Sequence, residues 1–396
     1  MHILYGQAAN FSLFTLHFSL FFVSLPSNYQ LNDERDCKMI RMLLLFVAMG
    51  LAPAVSAQET ESFDLEALYQ QIDDAIRQSP QYVAERKQQI AVCRDSFLME
   101  KSAEGRLVMA EKLFWLYEPY RNDSALHYAE LCISFADSLH HTGLTGRFRS
   151  LLAYQCSRTD MHTESLEQLH LVNKSALDQA GLVDYYNAWM HVCGELGLYT
   201  QRKDIRQRSF DLQNLYRDSV LMVIEKGSDE WYHLKMDILN ARRQFQDALE
   251  LSDQWIKKVT DNTHESAYAA FYRSMVFANL NNHDMLCYWL GKSALDDIRC
   301  AVMNQASLLF LAEHLANDGD LSRAHRYAEF AKECNLVFCP RMRTYQVNPF
   351  VNVIEKSSQA TQSRANLILY IASIVIVLLL IALIIAILLI RIARRK

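Results

Sequence analysis

Between Gln58 and about Arg364, apolar residues return with a period near 3.6, broken by short interruptions and with little strict alternation. That period belongs to amphipathic helices that bury one stripe, not to half-exposed strands. Phe63, Leu65, Ala67, Leu68, Ile72 and Ile76 fall on one such stripe. Ser79-Pro80 is expected to end that helix, because proline lacks a backbone donor and crowds the preceding turn. Further helices are expected over Ser102 to Tyr117, Asp123 to Leu139 and Leu182 to Leu196. The breaks are short, so consecutive helices should run antiparallel.

Three of these segments share a motif. Asn122-Asp123-Ser124-Ala125 leads to Ala129 and Cys132, Gln246-Asp247-Ala248 leads to Ser252 and Trp255, and Asp318-Gly319-Asp320 leads to Ala324, Ala328 and Ala331. Asn281-Asn282-His283-Asp284, followed by Cys287, Gly291 and Ala294, is a weaker fourth copy. Compact residues four and then three apart let a second helix approach its partner closely. The pattern resembles the tetratricopeptide repeat, although the first-helix Trp-Leu-Gly-Tyr signature is mostly missing and most copies lack the closing proline. The resemblance implies an all-α fold, a superhelical stack of antiparallel helix pairs in which each pair buries its apolar face on its neighbours. An irregular helical bundle is the rival reading.

Two apolar stretches flank this region. Met39-Ile40-Arg41-Met42, the run Leu43 to Leu51, and the small residues ending in Val55-Ser56-Ala57 have the order of a secretory signal, with cleavage expected between Ala57 and Gln58. Residues 1–38 are then expected to be an upstream extension from a start assigned too early, with a genuine extra apolar segment as the alternative. From Leu367 to Ile390 no charged residue occurs. Such a run, at about 1.5 Å per residue, exceeds a hydrocarbon core of roughly 30 Å and is expected to be a transmembrane helix within residues 365–391. Arg391, Arg394, Arg395 and Lys396 follow it, and this positive flank predicts a cytoplasmic C-terminus and an exported domain over residues 58–364.

Tyr268-Ala269-Ala270-Phe271, Tyr288-Trp289-Leu290, Ser293 through Arg299, Asn304 through Leu308, and Arg341-Met342-Arg343-Thr344 resemble a bacterial family of signal-peptide-bearing, single-pass membrane proteins. Its members carry a degenerate tetratricopeptide-like periplasmic domain. The resemblance implies a membrane-anchored regulator of the inner membrane and no assigned chemistry. Many members continue from the membrane helix into a cytoplasmic coiled coil and a regulatory region. Here Lys396 stands six residues past Ile390, which leaves no room for one: the expectation is either a naturally short version or a truncated reading frame.

Composition narrows the function further. Glycine (11) and proline (6) are scarce, which disfavours a turn-rich β-sandwich, and a net charge of -5 offers no basic face for nucleic acid. No nucleophile elbow, phosphate loop or dinucleotide fingerprint occurs. His264-Glu265 starts like a zinc-protease helix, but Tyr268 stands where the second histidine must be. His140-His141 reads as a solvated helix end. No catalytic, cofactor or metal site is therefore expected.

Eight cysteines follow Ala57. Cys132, Cys156, Cys193 and Cys287 read as small core residues, and Cys334 with Cys339 is the best disulfide candidate. The sequons at Asn122 and Asn173 read as structural, with Asn122 at a helix N-cap. Tyr185, Tyr186, Trp189, Trp231 and Trp255 are candidates for core or for a peptide-binding groove. The expected function is binding of a protein or peptide partner, as an adaptor or the sensory half of a signalling system; homo-oligomerisation is compatible with it. A structural tether in an envelope assembly, and less so an exported enzyme with a dispersed site, are the alternatives.

Overall fold

The computed structural model describes residues 64–338 and 365–381, together with residues 352, 353, 355, 359, 362, 363 and 385. Thirteen α-helices fill the first span. They are α1 (Leu65–Met99), α2 (Ala103–Tyr117), α3 (Asn122–Ser138), α4 (Thr142–Ser157), α5 (His162–His170), α6 (Gln179–Tyr199) and α7 (Lys203–Val223). Then come α8 (Asp229–Ala241), α9 (Phe245–Lys258), α10 (His264–Asn279), α11 (His283–Arg299), α12 (Ala306–Asp318) and α13 (Leu321–Phe338), with one 3-10 turn at Lys174–Ala176. There is no strand among the described residues, so the chain is all-α there.

Helix starts are written in the sequence. Asp64, Ser102, Asp178, Ser228 and Asn282 each accept from a backbone N–H of the first turn that would otherwise lack a partner, and Thr263 forms a reciprocal box with Ser266. The turns inside pairs α4/α5, α8/α9, α10/α11 and α12/α13 share one geometry. A residue with positive φ (Asp160, Arg243, Asn281, Gly319) follows the first helix, and the next N–H reaches back to a carbonyl of its last turn, Cys156, Leu239, Phe277 or Leu315. Only one of the four is glycine, which is why a glycine count under-reads these turns.

Helices pack in sequence order as α2/α3, α4/α5, α6/α7, α8/α9, α10/α11 and α12/α13, and each pair touches the next. Ala125, Ala129 and Cys132 on α3, Ala248, Ser252 and Trp255 on α9, and Ala324, Ala328 and Ala331 on α13 are all 0–1 % exposed. Small side chains there bring the paired helices close, and Trp255 fills the space that remains. The weaker copy on α11 behaves alike. Its Gly291 faces Leu68 so closely that an added Cβ would lie 2.8 Å from Leu68 Cδ2.

The expected stop at Ser79-Pro80 does not occur: α1 runs through Pro80 for 35 residues. Losing one ladder bond and adding the ring clash costs on the order of 3 kcal/mol. Burial on both sides of the proline offsets it. Leu68, Tyr69, Ile72 and Ala75 join the core of α8–α13, while Ile90 joins the core of α2–α4. The helix therefore ties the two ends of the stack together. Arg86 donates to the Cys300 carbonyl, the Met303 N–H to the Pro119 carbonyl, and the Tyr327 hydroxyl to the Tyr69 carbonyl.

Among the described residues, no helix is long and apolar enough to cross a membrane. The expectation of a spanning helix from Leu367 to Ile390 is thus unmet there. Of that segment the structure describes residues 367–381 and 385, which are helical and exposed, and the remainder lies outside the described residues. Ala57, Gln58, Cys339, Arg391, Arg394, Arg395 and Lys396 also lie outside them.

Candidate functional site

Pairs α6/α7 and α8/α9 meet weakly, through a small core that joins Met190, Val220, Leu234 and Ile238. Beside that junction opens a groove of about 960 Å³. It is lined by the starts of α6, α8 and α10, by the end of α7 with the loop that follows it, and by the loop after α9. The caps that begin those helices, Asp178, Ser228 and Thr263, therefore line one surface.

Acidic side chains dominate the lining. Among the described residues, Asp178, Asp184, Glu225, Asp229, Glu230 and Glu265 line it together with two lysines, Lys226 and Lys258. Several are already engaged: Asp178 caps α6 through Gly181, and Asp229 accepts from Trp255 Nε1 at 2.9 Å and pairs with Lys258 at 3.6 Å. Glu225 and Lys226 are exposed at the rim. The helix N-termini add partial positive charge beneath these carboxylates, which steadies the anions without cancelling their outward field.

Deeper in the groove, burial changes the acids. Burial pushes Asp184 up to about 6, although Arg147, donating from Nε at 2.9 Å, pulls it back toward ionisation. Burial likewise pushes Glu230 up to about 7, with Asp229 and Asp184 raising it further. Glu230 Oε1 is buried without a hydrogen bond, as expected of a carboxyl that holds its proton near neutrality. The groove therefore becomes more negative between about pH 6 and 8.

Behind the groove wall lies a polar core. Arg158 pairs with Glu118, and Arg147 links Glu111 and Asp184. Ser157 and His191 stand 2.6 Å apart, which has the spacing of a nucleophile and its base. They are 1 % and 3 % exposed, and burial depresses the imidazole far below its usual value. This pair is a packing hydrogen bond. His264 bonds Asp297 at 2.8 Å, beside a cavity of about 40 Å³ that holds little more than a water.

The remaining sequence candidates fall mostly into packing roles. Trp255 is 0 % exposed, stacked on Tyr232, and Trp189 stacks on Tyr216 at 5.3 Å. Tyr185, Tyr186 and Trp231 are half-buried against the same cores. No aromatic of that set lines the groove; Trp115 and Tyr154, which sequence reading passed over, do. Asn122 is not an N-cap. Arg121 holds that position, and Asn122 is 1 % exposed, accepting from Gln155 and donating to Thr159. His141 caps α4, and both His140 and His141 are exposed. Cys132, Cys156, Cys193 and Cys287 are buried, as is Cys334 at 7 %.

Residues 76–349 match the family model of the SusR N-terminal TPR domain. The chain belongs to that family. The SusR-type match starts inside α1 and takes in every helix from α2 to α13, so the tetratricopeptide likeness of the pairs is a family property. Domains of this kind are helical-repeat modules whose common use is protein–protein interaction. No match to a curated protein was found.

Proposed function

We propose that this SusR-type domain binds a protein or peptide partner through a cationic segment laid in the groove between α6, α8 and α10. It acts there as an adaptor or the sensory half of a regulatory system. The observation that carries the reading is the acidic lining of the groove, six acidic side chains against two lysines, at the junction where neighbouring pairs pack least. A positively charged segment gains from that field, and the junction can open or close around it with little packing lost. Curvature of the stack would then report occupancy.

The domain is held, in this reading, on the outer side of the inner membrane, with the signal removed after Ala57, one span from Leu367 to Ile390 and the C-terminus inside. Support comes from the exposed aliphatic side chains of residues 367–381, such as Leu367 at 61 % and Leu379 at 65 %. A continuous apolar face of that kind calls for a cover of lipid or protein.

A photo-reactive amino acid placed at Asn187 or Val183 in the groove, and at Val92 on the outer face of α1 as control, tests the site in intact cells. Adducts to one partner from the two groove positions and none from Val92 support the reading. Equal labelling from Val92, or none from the groove, defeats it. Alkaline carbonate extraction of the same cells tests the anchor, which requires the chain to stay in the membrane pellet.

A further inference from the structure

Away from the groove, three donor side chains converge where α11 meets α12, and a fourth, Asp318, is bonded to one of them. His283 and Cys287 are one turn apart on α11, and His314 and Asp318 are one turn apart on α12, so each pair projects from one helix face. Ligand atoms of His283, Cys287 and His314 all lie within 4.8 Å of one another. Cys287 Sγ is 3.6 Å from His283 Nε2, and Asp318 Oδ2 is 2.7 Å from the same nitrogen. The two imidazole centroids are 5.3 Å apart. Cys287 forms the floor at 2 % exposure, while the His283 and Asp318 side chains stand at the rim, 47 % and 48 % exposed. An ion has a path in from solvent.

A structural reading accounts for part of this. Cys287 is a compact residue of the repeat stripe, and His283 with Asp318 makes a rim hydrogen bond of little worth. It does not account for a second imidazole brought to the same thiol and ring from the neighbouring pair. Two imidazoles, one thiol and one carboxylate are the donors of a borderline-soft ion and are poor donors for calcium or magnesium, which take oxygen.

We propose that His283, Cys287, His314 and Asp318 bind a divalent transition-metal ion of the zinc class. Two donors on one tetrahedral ion stand roughly 3.3–3.8 Å apart. The sulfur and nitrogens therefore draw together by up to about 1.5 Å, and Asp318 moves back from Nε2 by less than about 1 Å. On binding, Cys287 releases its thiol proton to solvent and coordinates as thiolate; the proton that His283 Nε2 shares with Asp318 also leaves that nitrogen for solvent, so that Nε2 coordinates and the ring holds one proton on Nδ1. No oxidation state changes. Tyr69 of α1 lies beside Cys287. The ion thus clips pair α10/α11 to pair α12/α13 at the place where α1 closes the stack.

Titration of the purified chain with Co²⁺ under reducing conditions tests this. The proposal requires one equivalent of cobalt, the intense visible bands of tetrahedral coordination, and a near-ultraviolet thiolate-to-cobalt band, all displaced by Zn²⁺. Cys287→Ser must lose the thiolate band, and His314→Asn must bind at least ~10-fold more weakly. His283→Asn, at an exposed position, must do the same with unchanged circular dichroism. The proposal fails if the wild-type chain shows only the pale spectrum of octahedral cobalt, or if the bands persist unchanged in Cys287→Ser.

Discussion

Glu118→Gln removes one negative charge from a place that water does not reach. Glu118 caps the end of α2 at 0 % exposure, and Arg158 caps the end of α4 at 6 %. Arg158 also donates to Gln155 at 3.2 Å and lies over the Phe338 ring at 5.3 Å, so the pair joins α2, α4 and α13. Burial disfavours the guanidinium, but Glu118 beside it more than restores the charge, and Arg158 stays protonated. Glutamine keeps the volume and leaves that charge unpaired, at a cost of about 3–5 kcal/mol. For a domain of this size the melting temperature should fall by roughly 5–9 °C. The double variant Glu118→Gln/Arg158→Met should recover part of the loss, because no buried charge remains. Differential scanning calorimetry and urea unfolding of the wild type and the two variants measure both quantities. A loss below about 1 kcal/mol in Glu118→Gln, the value of a solvated pair, would refute the reasoning.

Other consequences follow from single positions. Glu230, pushed up to about 7, keeps a proton that the unfolded chain releases near the ordinary glutamate value of 4.5, so its contribution is complete below that value and is lost as pH rises through 7. Glu230→Gln should therefore match wild type at pH 4 and exceed it by up to roughly 3 kcal/mol at pH 8 in urea unfolding; a difference independent of pH contradicts the burial argument. Pro80 is exposed within α1, and Pro80→Ala should raise stability by about 1–3 kcal/mol by restoring a ladder donor, whereas a loss would mean that the helix needs the break. Gly291→Val meets Leu68 and Ile72 across the α1–α11 contact and should cost roughly 1–3 kcal/mol, detectable as a lowered urea midpoint; an unchanged midpoint would show that α1 is not packed there.

Periodicity and small-residue spacing carried the fold a long way. The helix expected over Ser102 to Tyr117 forms over Ala103–Tyr117, and the stripes of α3, α9 and α13 are as buried as their spacing implies. Pro80 misled because a local rule was outweighed by long-range burial on both sides of the ring. The groove was not legible, since its acids come from the beginnings of α6, α8 and α10 and the loop after α7, more than eighty residues apart between Asp178 and Glu265. The His283, Cys287, His314 and Asp318 cluster escaped for a similar reason. Its halves are two i, i+4 pairs with a helix boundary between them, and Cys287 alone reads as part of a repeat stripe.

Isothermal titration of the partner segment identified by crosslinking, against wild type and the Glu225→Lys/Glu265→Lys variant at pH 6 and pH 8, goes most directly to the acidic groove as the binding surface. Affinity for wild type should rise from pH 6 to pH 8 as Asp184 and Glu230 ionise, and the variant should bind at least ~10-fold more weakly with a flatter salt dependence. Equal affinity of the two proteins at both pH values would contradict it.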